Sequence, residues 1–484
     1  MPTTTLWRLL LALALLCTPL FSVYAQEPAP GAAKDLEDCI QYAWDHALPL
    51  ENARLDQQEA EVALESSRAD QLPSLNANAS HGYNFGRTID PFSNEFTNTQ
   101  IRTNNFSLSS NWTLFSGLSV RKQIEQNALQ SRAAAKNVEA ARNDVALQVA
   151  AAYLDVIRFR EQLKRFEQQL ETTQERRRQV DLFVDEGVRN RSELLEIDAQ
   201  AAQEALQVTN ARNQLDLARL QLRQSMNYPG ADPLQLAPIQ DTSVAYEEVN
   251  DLEGVVQANQ DRLPQMQAAR LQEEAARKRL EAARGQRYPS LALSSSVTTG
   301  YSTQRLTQVG SQTVENTDTV NFNGQQVPLT FTNERPVFET PGFGQQLENN
   351  LGQNVRLGLS IPIFNNYRTR SNVRRAMVQQ DRAALNRAQS AQQVRNDIYN
   401  AYYQRRAAYR QYTSAQKSLE AQKLLLDQVQ LRREEQLASY YDLVQVRNNY
   451  NQALTQLLEA KYNFLFRDKV FEFYQGKPLI GANR

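Results

Sequence analysis

The chain carries one architectural program twice. Residues 71–75, Gln-Leu-Pro-Ser-Leu, return as Arg-Tyr-Pro-Ser-Leu at 287–291, an offset of 216. Residues 112–115, Trp-Thr-Leu-Phe, return as Ile-Pro-Ile-Phe at 361–364, an offset of 249 that persists from Tyr153 to Tyr402. Each half reads helix, proline, alternating strand, loop, alternating strand, very long helix, short break, long helix. A repeat of this kind constrains the fold before any single motif does. With repeats at 26–227 and 247–484 and a loop-rich linker at 228–246, the 484 residues make one elongated two-repeat body. Length alone would permit three ordinary domains.

The strands are expected at about 74–88, 102–116, 290–303 and 352–364. In the first, Leu75, Ala77, Ala79, Tyr83 and Phe85 oppose Ser74, Asn76, Asn78, Ser80 and Asn84. In the second, Phe106, Leu108, Trp112 and Leu114 oppose Ser107, Ser109, Asn111 and Thr113. Leu291, Leu293, Val297 and Tyr301 oppose Ser294, Ser296 and Thr298, and Val355, Leu357, Leu359, Ile361 and Ile363 oppose Arg356, Gly358 and Ser360. Period-two alternation marks strands with one apolar and one polar face, and each run is near the ~10 residues of a tilted membrane strand. Tyr83, Phe85, Trp112 and Tyr301 lie toward strand ends, where an aromatic girdle meets lipid headgroups. A soluble sandwich is a poor alternative, since two hairpins separated by almost the whole chain make few sheets. Residues 304–351, rich in Thr, Gln, Asn and Gly without sustained periodicity, read as a long loop between strands, expected on the extracellular side.

The long helices are expected at about 118–184, 192–227, 366–435 and 440–475. Val145, Val149, Ala152, Val156, Phe159, Leu163, Phe166 and Leu170 follow a heptad seam, as do Leu443, Val446, Tyr450, Ala453, Leu457, Ala460 and Phe464. Neither 118–184 nor 366–475 contains proline or glycine. At 1.5 Å per residue, a helix of ~65 residues reaches about 100 Å, which suits a tube across a gap. Pro73 and Pro289 stand where helix gives way to strand, and Pro362 where alternation leaves the bilayer. The first long helix breaks at 185–192, with Ser192 read as the next N-cap, and the second breaks near 436–440.

The remaining numbers exclude more than they assert. With 53 Lys+Arg against 54 Asp+Glu, net charge is -1, and no electrostatic case for nucleic acid arises. Mean hydropathy is -0.59, and after the first residues no stretch approaches the ~20 apolar residues of a spanning helix. A membrane crossing must therefore use strands. Arg8, the apolar run Leu9–Leu16 and Ala25 before Gln26 read as an export signal over 1–25. Cys39 is then the single cysteine, spaced with Leu36, Ile40 and Trp44 as on the apolar face of a helix, and reads as a buried structural thiol. His46 and His81 are the only histidines, and no metalloprotease, phosphate-loop or paired-cysteine motif occurs. The chain reads as neither an enzyme nor a holder of metal or cofactor.

Four strands cannot close a barrel, and an open edge in lipid leaves backbone groups unsatisfied at several kcal/mol each. The edges must pair with copies of the same chain, two giving eight strands and three giving twelve with a lumen. A periplasmic coiled-coil tether would account for the heptads and leave the strands unused.

Together these features resemble the TolC-like outer-membrane efflux channels. The resemblance rests on the junctions at 71–75, 112–117, 287–291 and 359–364, taken in order with long heptad helices between them, and covers essentially the whole mature chain. It implies a mixed α and β homotrimer in the outer membrane of a Gram-negative bacterium. A twelve-stranded β-barrel would be continuous with an α-barrel of long antiparallel coiled-coil helices forming a periplasmic tunnel. It implies a passive duct whose periplasmic tips open on engaging a periplasmic adaptor, the membrane fusion protein, and an inner-membrane transporter. Glu193 and Asp442 stand where the family lines its entrance with acidic residues, while the second acidic position is Gln445 here. Where the best-known member braces its closed tip with a tyrosine and an arginine, this chain has Arg433 and Ala438, so a latch would need Arg432, Arg433 or Arg447 against a carboxylate. The tip glycine is Gly187 in the first repeat and is replaced by Gln436 in the second. Gly187, Arg189, Ser192, Leu194 and Tyr440 are the candidate adaptor contacts.

Overall fold

The two repeats reappear element by element in a computed structural model, which describes residues 34–86, 88–89, 94, 96–97, 100–229, 234–237, 243–322, 324–435 and 437–477. The export-signal segment and Gln436 lie outside these residues. The first repeat runs α1 (Leu36–His46), α2 (Leu48–Ala69), β1 (Ser74–Asn84), a small hairpin of β2 (Thr88–Ile89) and β3 (Phe96–Thr97), β4 (Ile101–Ser116), α3 (Ser119–Asp185) and α4 (Arg191–Met226). The second runs α5 (Leu252–Asn259), α6 (Pro264–Gly285), β5 (Ser290–Ser302), β6 (Thr307–Phe322), β7 (Gln325–Glu339), α7 (Phe343–Asn349), β8 (Gly352–Ser360), α8 (Arg368–Glu434) and α9 (Tyr440–Tyr474). No helix among the described residues is long and apolar enough to cross a membrane.

Four strands form one antiparallel sheet in the order β1-β4-β5-β8. The repeat holds here to the residue. Ser74 faces Asn111 and Leu75 faces Ser110 in the first hairpin; Ser290 faces Ser360 and Leu291 faces Leu359 in the second. These pairs are related by the same offsets of 216 and 249 seen in the sequence. The strand-to-helix turns also correspond. Gly117 and Leu118 have φ of 61° and 64°, and Asn366 and Tyr367, 249 residues on, have 53° and 59°. Consecutive left-handed residues reverse the chain from strand into helix, a conformation that costs non-glycine residues energy. At Gly117 a second constraint applies, because an added Cβ would lie 2.2 Å from the carbonyl oxygen of Gly285. The end of α6 thus packs backbone to backbone on the turn after β4.

Two expectations need correction. The segment 304–351 is not featureless, since β6 and β7 pair from Thr307–Glu339 to Phe322–Gln325 as a long hairpin. Its strands are exposed wherever their side chains are described except at Thr307 and Val314, so neither face carries the apolar alternation that betrays a half-buried strand. The available signal was Asn323-Gly324, the dipeptide favoured in two-residue hairpins. After it, α7 returns to the sheet through buried Gln346, whose amide accepts from the Ser302 N–H at 3.0 Å and donates to the Ser302 carbonyl at 3.1 Å. The second correction is that β8 ends at Ser360 rather than near 364, ahead of Pro362, which has no N–H to give a ladder.

The chain divides into two compact units, one of residues up to Tyr42 with Val149–Ser243, the other of Ala43–Gln148 with Val244 onward. In the first, Val149, Ala152 and Val156 of α3 are buried, as are Ile197, Val208, Ala211, Leu215, Ala218, Leu222 and Met226 of α4. Arg212 reaches Glu167 at 3.0 Å, Gln169 reaches Glu204 at 2.9 Å, and Arg177 pairs with Asp198, so the two helices run antiparallel in register. Cys39 is buried in this unit, and burial pushes its thiol up to about 12. It is the inert thiol that the sequence pattern indicates. Nearby, the Tyr153 hydroxyl donates to the Ala237 carbonyl at 2.7 Å.

In the second unit, Ala401 and Tyr402 of α8 pack on Phe471 of α9, Val394 and Ile398 of α8 pack with Val256 and Leu263, and Leu443, Ala453 and Phe464 of α9 are buried. Arg405, buried among them, is paired with Asp468 at 2.5 Å, bonded to the Glu247 carbonyl at 2.8 Å and seated over the Tyr246 ring. A buried cation is tolerated only with such partners. Where α3 starts beside α6, Lys122 reaches Glu125 and Glu281 at 3.0 Å each, and Lys278 closes the square on Glu125 at 3.0 Å. The square ties the first repeat's outgoing helix to the second repeat's incoming one.

The Gly117–Gly285 approach yields a direct test. Gly285→Ala is expected to lower stability by ~1–3 kcal/mol, because its Cβ would meet the Gly117 carbonyl oxygen at 2.6 Å. Thermal loss of the helical circular-dichroism signal reads this, with Ala283→Gly, two residues earlier, as a control that removes volume instead.

Candidate functional site

The sheet presents two unlike surfaces. One carries Leu75, Ala77 and Ala79 of β1, Phe106, Leu108 and Trp112 of β4, Leu291, Leu293 and Val297 of β5, and Val355, Leu357 and Leu359 of β8. Much of it is bare: Leu75 is 69% exposed, Leu357 62% and Val355 75%. The other surface is lined by Ser, Thr, Asn and Gly, with Arg356 as the only charged side chain that these four strands place there. An uncovered apolar face of this extent does not belong in water. Among the described residues, both outer strands, β1 and β8, leave one edge without a partner.

Aromatic residues bracket the apolar surface. Tyr83 lies opposite Arg102, Tyr301 lies opposite Asn104, and the Arg102 guanidinium sits 5.7 Å from the Tyr301 ring centre. Phe85 follows just past β1 and stacks on Tyr83. Trp112 is at the other end of β4, its indole N–H donating to the Gln71 carbonyl at 2.7 Å. Eight to ten residues separate the two rows, about 30 Å along the strand. A tilt of ~40° reduces that to about 23 Å, close to the ~25 Å apolar band of outer-membrane barrels. His81 interrupts the apolar surface and is hydrogen-bonded to Asn104 across the ladder.

The first tip is a glycine-terminated helix end. The Gly187 N–H donates to the Val184 carbonyl at 3.0 Å and the Val188 N–H to the Phe183 carbonyl at 2.8 Å, with Gly187 at φ 72°. This pair of bonds is the Schellman motif, which needs a left-handed residue at the glycine position. Asn190, not Ser192, is the N-cap of α4, its side chain accepting from the Ser192 N–H at 3.5 Å. The acidic residue three positions on, Glu193, is the mark that distinguishes Asn190 from Ser192 as the cap. Arg189 reaches Glu193 at 2.6 Å, so a candidate adaptor contact and a candidate gate residue form one ion pair. Leu194 is half-buried on the following turn and Ser192 is exposed.

The second tip keeps the register and changes the chemistry. Ser439, 249 residues after Asn190, caps α9, and Asp442, the counterpart of Glu193, completes a capping box. The Ser439 hydroxyl accepts from the Asp442 N–H at 3.1 Å, and the Asp442 carboxylate accepts from the Ser439 N–H at 3.0 Å and its hydroxyl at 2.7 Å. These bonds, with the charge of Arg432 adding to them, hold the Asp442 carboxyl below the ordinary carboxylate range. Asp442 is therefore a fixed negative charge at neutral pH. Arg433 is half-buried in the last turn of α8, Gln445 is exposed one turn after the capping box, and Tyr440 is the first residue of α9.

Comparison with known proteins agrees with this geometry. The sequence profile of the family described as outer membrane efflux protein matches residues 39–228 and 255–466, one span in each repeat. Among solved structures, CusC superposes with a TM-score of 0.72 at 17% identity, covering 95% of this chain and 96% of that one. The MtrE outer membrane channel of Neisseria gonorrhoeae, solved in its open state, gives 0.69 at 19% identity over 91% of this chain and 88% of that one. VceC of Vibrio cholerae gives 0.68 at 14% identity over 92% and 97%. No functionally curated protein matches the chain.

The capping box can be read in solution. Ser439→Ala is expected to speed amide exchange across Tyr440–Leu443 about threefold to tenfold. Because the folded Asp442 carboxyl titrates below its unfolded value, the cap's contribution is complete above the ordinary carboxylate pKa and is lost as pH falls through the folded one. Exchange protection there should stay constant from neutral to mildly acidic pH and fall only in stronger acid.

Proposed function

The chain belongs to the outer membrane efflux protein family, and from that premise we propose that three copies form the passive exit duct of a tripartite efflux or type I secretion assembly. The outer-membrane channel is the established part; the trimer, the adaptor, the inner-membrane transporter and the opening of the tips are the proposal. The observation that supports it most is the four-stranded sheet with one bare apolar face, one Ser/Asn-lined face and two free edges. Three such sheets give twelve strands, enough for a water-filled lumen behind an apolar exterior. Tyr83, Phe85, Trp112 and Tyr301 then form the girdle at the lipid headgroups, and the hairpin of β6 and β7 extends on the extracellular side.

At the other end, the helix tips are the entrance. Threefold repetition would set Asp442 in a ring of fixed negative charge, which favours cations, as charged rings in pores do. Glu193 would offer less charge at its own tip while Arg189 neutralises it. The exposed turn of Gly187, Arg189 and Ser192, with Leu194, is one surface offered to an adaptor, and the start of α9 at Tyr440 is another. Its engagement with Arg189 would release Glu193 and couple docking to the electrostatics of the entrance.

Purified protein is expected to have the mass of a trimer in detergent and to conduct ions in planar bilayers, and a non-conducting monomer would overturn the reading. Asp442→Asn, which keeps a hydrogen-bonding side chain at the cap, is expected to reduce cation preference measured as reversal potential. Unchanged selectivity would leave Asp442 with its capping role alone.

A further inference from the structure

Each of the four places where helix meets sheet carries the same pair of side chains. Leu72 and Tyr288 lie in the helix-to-strand turns, and Leu118 and Tyr367 in the strand-to-helix turns. All four are bare, at 67%, 64%, 54% and 61% exposure in that order. One helical turn away, on the helix side, stands an exposed arginine. Arg68 precedes Leu72, Arg284 precedes Tyr288, Arg121 follows Leu118 and Arg370 follows Tyr367. The offsets of 216 and 249 relate these pairs just as they relate the strands.

Packing does not account for the pattern. Leu118 and Tyr367 hold left-handed backbone, with φ of 64° and 59°, which costs a non-glycine residue energy, and neither side chain is buried in return. Arg121 and Arg370 lie in the first turns of α3 and α8, where positive charge opposes the helix macrodipole and neither helix has an acidic residue. Of the four arginines only Arg121 pairs with a described carboxylate, Glu125 at 3.6 Å, and Lys122 and Lys278 hold that carboxylate closer, at 3.0 Å each.

The pairs continue the apolar face of the sheet. Trp112 faces Leu293 and Phe115 faces Leu291, all on the apolar surface. Leu118 and Arg121 share with Trp112 and Phe115 an open cleft of about 240 Å³. In the second repeat the Arg370 guanidinium lies 5.9 Å from the Tyr367 ring centre, and that ring meets Phe364 edge-on at 5.6 Å. Phe115, three residues after the girdle residue Trp112, stands about 8 Å farther along the membrane normal at a tilt of ~40°. The headgroup layer is ~5–8 Å thick on each side of the hydrocarbon. The bare apolar residues therefore fall at that layer, and arginine side chains are long enough to span it.

We infer that these four pairs form a belt that docks anionic phospholipids of the periplasmic leaflet, each arginine on a phosphodiester and each apolar residue beside the glycerol and upper acyl chain. Guanidinium matches phosphate oxygens two at a time. A phosphodiester without a cation of its own, as in phosphatidylglycerol, is favoured over the choline-bearing one of phosphatidylcholine. The second repeat carries the stronger part of the belt. Arg287, Arg368, Arg374 and Arg375 are exposed beside Arg284 and Arg370, with no acidic residue in 282–289 or 365–380. The inference rests on the membrane seat of the sheet and needs neither the trimer nor the adaptor.

Spin-labelled phosphatidylglycerol and phosphatidylcholine, added in trace amounts to the full-length protein in phosphatidylcholine vesicles, give the preference as a ratio of association constants. The native chain is expected to favour phosphatidylglycerol about twofold to fivefold at low salt, and less as salt rises. Arg68→Gln, Arg121→Gln, Arg284→Gln and Arg370→Gln together are expected to bring the ratio to about one, while lysine at the same four positions keeps most of it. The milder pair Arg284→Gln with Arg370→Gln is expected to lose at least half of the preference, so a quadruple chain that fails to fold does not decide the matter. Arg382→Gln, exposed on α8 about 18 Å beyond Arg370, is expected to change nothing. A native ratio of one, a preference that survives the glutamine chains, or an equal loss with Arg382→Gln would overturn the belt. Mass and conductance are read separately on the same protein. A non-conducting monomer that keeps the preference would remove the duct and leave the belt, and a conducting trimer without the preference would remove the belt alone.

Discussion

Hydrocarbon offers a peptide group no hydrogen-bond partner, and each unpaired N–H or C=O there costs several kcal/mol. Most of this structure follows from that penalty. A chain without a spanning helix can enter a bilayer only with strands, and strands there must leave no edge. One chain supplies a four-stranded sheet with an edge open on each side. Duplication supplies the sheet: each repeat contributes one hairpin, and the β4–β5 ladder joins the two hairpins into one continuous surface.

The same duplication was relaxed where identity was not needed. At the strand-to-helix turns, Gly117-Leu118 and Asn366-Tyr367 share an unusual backbone, yet only Gly117 has Gly285 pressed against it. At the tips, Asn190 and Ser439 both cap, but Glu193 is drawn into an ion pair with Arg189 while Asp442 stays within its capping box. Two helix starts that share a register thus present different electrostatics, one neutralised and one negative. The two repeats keep one architecture and still vary the charge at their helix starts, because the cap needs only an acceptor and a nearby acid.

The sequence was most legible where one physical demand acts on many residues. Period-two alternation located all four strands of the sheet, and heptad spacing located the helices, since a lipid-facing strand and a coiled-coil seam each impose a repeating polarity. It was least legible where polarity does not vary. The hairpin of β6 and β7 is wet on both faces, so only Asn323-Gly324 signalled it. At the first tip Asn190 and Ser192 are both good caps, and the choice depended on Glu193 three residues after one of them. The end of β8 was overestimated for a different reason. Apolar alternation continues through Ile363, but Pro362 has no N–H to give a ladder and the strand stops at Ser360. Of the candidate site, the placement of the tips was legible, but the Arg189–Glu193 pair and the Ser439–Asp442 box required three-dimensional distances.

The central claim is that the sheet separates lipid from water, apolar side outward and Ser/Asn side inward. Spin labels placed one at a time from Leu291 to Tyr301 on β5, in protein reconstituted into bilayers, test it most directly. The account predicts accessibility that alternates with period two, odd positions reached by oxygen from the lipid and even positions by a water-soluble nickel chelate. Uniform access to the nickel chelate at every position would contradict it.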